Sequence, residues 1–112
     1  MTDIIDPAGW AELEQPAGPD FVGELVQTFL EEAPAMLQTL GQSHAAGNAE
    51  EFRRTAHSLK SNGLTFGALG FAAHARALEQ GGLDAATPAA VRELQAEWLD
   101  VAAALKERVA NG

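Results

Sequence analysis

Apolar residues recur at spacings of three and four along almost the whole chain. Val22, Val26, Phe29, Ala33, Met36 and Leu40 form one stripe, which Leu25 and Leu37 widen. Phe52, Ala56, Leu59, Gly63 and Phe66 form a second, and Ala68, Phe71, Ala75 and Leu78 a third. Val91, Leu94, Trp98, Val101 and Leu105 form the last. An α-helix turns once in about 3.6 residues, so each stripe reads as the buried face of an amphipathic helix. β-branched residues are sparse, alanine is abundant, and no strand-like alternation is sustained. Four long striped segments with short connections predict an all-α fold, an antiparallel up-down four-helix bundle. An additional short N-terminal helix is predicted from Asp6-Pro7 to about Glu14, carrying Trp10 and Leu13.

Polar, glycine and proline residues punctuate these segments. Gln15 to Pro19 reads as a linker, and Asp20 as the cap of the next helix. Pro34 lies inside that helix and removes a backbone donor, which predicts a kink or break. Gly47-Asn48 ends the segment, and Asn48 with Glu51 makes an approximate capping box for the following one. Gly67-Ala68-Leu69-Gly70 reads as a helix junction or tight turn, Gly81-Gly82 as a stop, and Thr87-Pro88 as a restart. The 112 residues contain no internal repeat or low-complexity tract, so residues 1–112 are expected to form a single domain.

Composition narrows the chemistry. Apolar residues make up 46% of the chain, enough for a core. Cysteine is absent, which excludes disulfides, a thiolate nucleophile and cysteine-ligated metals. A formal net charge of −9 argues against nucleic acid and anionic membranes as partners. The stretch from Met1 to Pro7 has no basic region and no long apolar run, so a cytoplasmic location is expected. The opening Met1 and the short tail after the last stripe favour a stand-alone protein. Of the seven basic residues, Arg53, Arg54 and Lys60 fall close together around His57. They either balance Glu50 and Glu51 on a solvated helix or form a local positive patch centred on the histidine.

His57 precedes Lys60 by one helical turn, so the two share a face. An imidazole beside a fixed positive charge, with Ser58, Ser61, Gly63 and Gly67 adding little bulk, suits a large anionic group such as phosphate. Nucleotide-binding loops are missing: Gly63 and Gly67 lack the lysine and the strand context of a phosphate loop. No acidic cluster has Mg²⁺-binding spacing, and His44, His57 and His74 lack the i, i+4 spacing of zinc ligands. No metal or other cofactor of its own is therefore expected. His44, near a helix end, and His74, beside the Phe71–Leu78 face, read as structural or surface histidines.

The run Ala56-His57-Ser58-Leu59-Lys60-Ser61-Asn62-Gly63-Leu64-Thr65-Phe66-Gly67-Ala68 resembles the signature of histidine-containing phosphotransfer (HPt) domains. Phe29-Leu30-Glu31-Glu32-Ala33-Pro34, Ala46-Gly47-Asn48 and Leu78-Glu79 resemble that family's flanking segments, so the similarity covers nearly the whole chain. The resemblance implies that His57 accepts a phosphoryl group from the aspartyl phosphate of a receiver domain and passes it to another receiver. Lys60 would steady the phosphoryl oxygens, with Ser61 and Gly67 in the phosphate environment. Ser61 stands where the family most often has glycine; its hydroxyl is small and could donate to the phosphoryl group. Arg53, Arg54 and Leu64 would meet the partner, although Leu64 could equally be core. Implied partners are response-regulator receiver domains and a hybrid histidine kinase, with Mg²⁺ held by the receiver. The protein would be a monomeric phosphocarrier without an ATP site rather than an autonomous enzyme. Two other readings remain: a bundle that binds a receiver without carrying phosphate, and the phosphoacceptor domain of a chemotaxis-type kinase.

Overall fold

Each predicted stripe closes against its neighbours in the computed structural model, which describes residues 4–111. The first three positions of the N-terminal stretch and Gly112 lie outside the described residues. Five helices follow in order: α1 (Pro7–Ala17), α2 (Pro19–Ala46), α3 (Ala49–Thr65), α4 (Leu69–Ala85) and α5 (Pro88–Asn111). The last four make the bundle: α3 packs against α4 and α2, and α5 closes it against α2 and α4. α1 lies over α2 and α3. No described helix is long and apolar enough to cross a membrane.

Four apolar side chains from α2, α4, α5 and the α3–α4 turn fill the middle. Phe29 stacks on Phe66 with ring centroids 5.1 Å apart and meets Trp98 edge-on at 4.8 Å. Phe71 reaches the same tryptophan at 6.1 Å. Phe52, Leu59, Leu94 and Leu105 are fully buried around them. Aromatic pairs in these geometries add to the stabilisation from burial itself.

Four local expectations change. α2 runs unbroken through Pro34, because the ring sits on the exposed face and the missing donor costs a bond only on the solvent side. Leu37 rather than Met36 is buried, since a 3.6-residue period carried from Phe29 through Ala33 reaches Leu37 and then Leu40. The linker shrinks to Gly18: α1 continues to Ala17 with Pro16 in its last turn, and α2 starts at Pro19. Gly18 is the N-cap of α2, so Asp20 lies in the first turn, where its charge suits the helix dipole. Other signals act as read. Asp6 accepts from the Gly9 N–H at 2.9 Å, Thr87 accepts from the Ala90 N–H at 3.0 Å, and the α4 path breaks at Gly82 before a final turn.

The α3–α4 turn also receives α1. The Asp6 N–H donates to the Gly67 carbonyl at 2.7 Å, Trp10 is buried, and the Arg108 guanidinium lies 6.0 Å from its ring. Gly67 has φ +77°, and a β-carbon there would stand 3.1 Å from the Asp6 carbonyl oxygen. Gly67→Ala therefore meets both left-handed strain and a backbone contact that cannot yield cheaply. It is expected to lower stability by about 2–4 kcal/mol. Urea unfolding would measure the loss, and a change below about 0.5 kcal/mol would contradict this role.

Candidate phosphoacceptor site

The start and rotation of α3 are set by two devices. Asn48 and Glu51 exchange bonds: the Glu51 N–H donates to Asn48 Oδ1 at 3.2 Å, and Asn48 Nδ2 donates to Glu51 Oε2 at 3.1 Å. The stripe Phe52, Ala56, Leu59 and Gly63 then faces the core. His57 is left pointing outward, with its side chain 55% exposed.

Gly63 sets how closely α4 approaches. A β-carbon on it would lie 3.2 Å from both the Ala72 β-carbon and the Phe71 ring. With hydrogen there instead, α4 lies tight against α3, and Glu79 reaches across. Its Oε2 meets His57 Nδ1 at 2.6 Å, and its Oε1 meets Lys60 Nζ at 2.9 Å. One carboxylate thus holds both members of the His-x-x-Lys pair. An ionised carboxylate only accepts hydrogen bonds, so the proton of the neutral imidazole sits on Nδ1. Nε2 carries the lone pair on the far side of the ring, away from Glu79.

Glu79 stays ionised for identifiable reasons. Its hydrogen bond from Lys60 chiefly holds its carboxyl below the usual range, helped by the bond and charge of His57 and the charge of Lys60, while partial burial opposes them. The native value is lower than that of an unfolded carboxyl, near ~4.3. The contact therefore contributes stability above that pH and loses it as pH falls through the native value. Wild type is expected to be more stable than Glu79→Gln at neutral pH, and the gap should close toward pH ~3. Urea unfolding of both proteins across that range measures it; a gap that persists in acid would refute an ionic origin.

The family model for the Hpt domain matches residues 24–107, most of the chain. The chain belongs to the Hpt domain family. Searches of curated proteins and of solved structures return no match. Histidine phosphotransfer within two-component phosphorelays is the function of this family, and receiver domains and hybrid kinases are its interaction partners. The match spans most of α2 and α5 and all of α3 and α4; α1 lies outside it.

The other anticipated residues of this Hpt domain divide. Arg53 and Arg54 are exposed and, with Glu50, His57 and Glu79, line a shallow depression between α3 and α4. Neither forms an ion pair among the described residues, and Glu51 bonds to Asn48, so internal charge balance does not occupy them. Arg54 also borders a second depression with Met36, Ala35, Thr39 and Ser58, between α2 and α3. Ser61 is exposed beside Lys60, and its carbonyl accepts from the Thr65 hydroxyl at 3.0 Å. Leu64 is 54% exposed, two turns along from His57, so it is surface rather than core.

Gly67 does not join this group. It lies ten residues beyond His57, in the turn after α3, packed under α1. Its bare α-carbon lets the α3–α4 turn close against the start of α1. Glu79 is the participant that sequence reasoning missed. In the sequence its place after Leu78 resembles only a family helix end, and no local spacing rule links a carboxylate to a histidine 22 residues earlier. His44 is structural: its Nε2 pairs with the Ala86 carbonyl at 3.0 Å. His74 meets Glu97 across α4 and α5 through Nδ1. Among the described residues no cluster of three or more histidine or acidic side chains is arranged to hold a metal ion.

Proposed function

We propose that His57 is the phosphoacceptor of this Hpt domain. The chain, acting as a single monomeric domain over residues 1–112, would carry phosphate between receiver domains. The supporting observation is the shared carboxylate: Glu79 engages His57 Nδ1 and Lys60 together, on an exposed imidazole whose Nε2 has no hydrogen-bond partner among the described residues. A neutral imidazole with Nδ1–H needs no separate base to attack, because its lone pair is already free. The Nε2–P bond forms as the P–O bond to the receiver's aspartate breaks, and that aspartate departs as a carboxylate. The proton stays on Nδ1, where Glu79 offsets the positive charge that develops on the ring. Lys60 stands one turn away to pair with the phosphoryl oxygens, and Ser61 adds a small exposed hydroxyl beside it. Transfer of this kind depends mostly on positioning and charge. The divalent metal and acidic pocket belong to the receiver. The reverse sequence returns the group to a second receiver, so the chain is a carrier and the kinase chemistry lies elsewhere.

His74 makes a useful contrast. Its Nδ1 also meets a carboxylate, but no lysine or arginine pairs with that carboxylate among the described residues. Incubation with phosphorylated receiver domains is expected to place acid-labile, base-stable phosphate on the protein, and peptide mapping should locate it at His57. Binding without any transfer would favour a scaffold. Label acquired only from an ATP-bound kinase would instead favour the phosphoacceptor domain of a chemotaxis-type kinase.

A further inference from the structure

Arg76 carries no role in the site just described, yet the register of α3 and α4 brings it to the border of the His57 face. Glu79 lies opposite His57, whereas Phe71 and Ala72 lie against Gly63. The two helices are thus antiparallel: six residues forward on α3 correspond to seven or eight backward on α4. Interpolation puts Arg76 level with Lys60. On α4, Ala72 and Ala75 are buried while Arg76 is exposed. It precedes Glu79 by one turn, on the same side of the helix.

Its charge is uncommitted. Arg76 forms no ion pair among the described residues, and Glu79, the one acidic residue within four positions on α4, is taken by His57 and Lys60. Arg53, Arg54, Lys60 and Arg76 make four of the seven basic residues of a chain with net charge −9. The remaining three, Arg92, Lys106 and Arg108, are all on α5, which packs against α2 and α4. An acidic protein therefore presents exposed positive charge before and after its outward histidine along the α3–α4 face, with exposed Leu64 beyond Arg76. The charges come from different helices: Arg53 and Arg54 from α3, Arg76 from α4.

We infer that Arg76 is a docking contact for the phosphorylated partner, pairing with a carboxylate on the rim of that partner's acidic phosphorylation pocket. The interface would then extend from α3 onto α4. This inference rests on the phosphotransfer reading above. Arg76 meets the partner and not the phosphoryl group, because side chains lean toward the N-terminus of their own helix. In α4 that direction leads away from His57 and toward the level of Leu64. Such a charge governs encounter and orientation, is screened by salt, and leaves the chemical step alone.

The test compares wild type, Arg76→Glu and Arg76→Lys with two donors: a phosphorylated receiver that labels wild type, and phosphoramidate, which is too small to use a docking surface. At low salt, Arg76→Glu is expected to lower kcat/KM with the receiver about tenfold, and the deficit should shrink near 0.5 M salt, where the Debye length falls to a few ångströms. Arg76→Lys should stay close to wild type. The rate at saturating receiver and the phosphoramidate rate should not change in either variant. An equal fall with phosphoramidate, or a deficit indifferent to salt, would overturn the docking role. A labelled wild type whose receiver kinetics ignore Arg76→Glu overturns this inference alone. Failure of every receiver to label wild type overturns the phosphotransfer reading and this inference with it.

Discussion

His57→Gln is expected to abolish acid-labile phosphorylation from any receiver, to below the detection limit of the labelling assay. Glutamine approximates the reach of histidine, and its amide can still donate to Glu79, so the Glu79–Lys60 contact has no reason to collapse. What disappears is the nucleophile, because an amide nitrogen has no free lone pair with which to form a P–N bond. Stability should change little, since His57 is more than half exposed and its ring contributes nothing to the core. Affinity for the receiver should remain within a few-fold, because the flanking charges, Leu64 and the Met36 groove are untouched. The measurement is a labelled-phosphate time course beside thermal unfolding and a binding isotherm. Full labelling of a folded His57→Gln protein would sink the site assignment and turn attention to His74. Loss of binding together with labelling would instead mean that the imidazole is a docking group.

Glu79→Ala is expected to slow transfer by about 10–100-fold while leaving the phosphate on His57. Replacing the buried carboxylate of a serine-protease triad costs about 10⁴, largely through the wrong tautomer. Glu79 is only partly buried, so water can take up some of its hydrogen bonding, and the smaller figure follows. Two effects combine in the loss. The imidazole no longer has its proton held on Nδ1, so part of the population places it on Nε2 and cannot attack. Lys60 also loses its anchor at 2.9 Å and must be ordered when phosphate arrives. Glu79→Gln should fall between alanine and wild type, because its amide oxygen can still accept from Nδ1–H but brings no negative charge. Nitrogen-15 NMR of the imidazole provides a readout that loss of stability alone would not move. The wild-type ring should be held as the Nδ1–H tautomer, and the alanine variant should populate both tautomers. Unchanged tautomers with unchanged rates would remove Glu79 from the mechanism.

Much of the molecule was legible because it depends on neighbours in sequence. The stripes through Phe52–Phe66 and Val91–Leu105 reflect a period of 3.6 residues, and every member is buried. Capping by Asp6, Asn48 and Thr87 needs only a side-chain oxygen placed before a helix, and all three caps form. The misreadings arose where the decision was not local. Pro34 reads as a kink or break, and the helix is not broken there because the ring is on the exposed face. Met36 and Leu37 are adjacent apolar residues that both lie close to the 3.6-residue period, and Leu37 is the one that packs into the core. Gly67 lies in the resembling motif, and the close approach of α1 to its bare α-carbon is visible only in the folded chain.

By itself the sequence determined an all-helical bundle, the placing of His57 and Lys60 one turn apart on one face, and the resemblance that the Hpt match then confirmed. These follow from helical periodicity, which couples residues three and four apart whatever the rest of the chain does. Tertiary structure alone decided that Glu79 clasps both residues and that Leu64 and Arg76 are exposed. Those facts depend on how closely α3 and α4 approach and on their register. Both are set by contacts across the core, such as Gly63 against Phe71 and Ala72, which no spacing along the chain encodes.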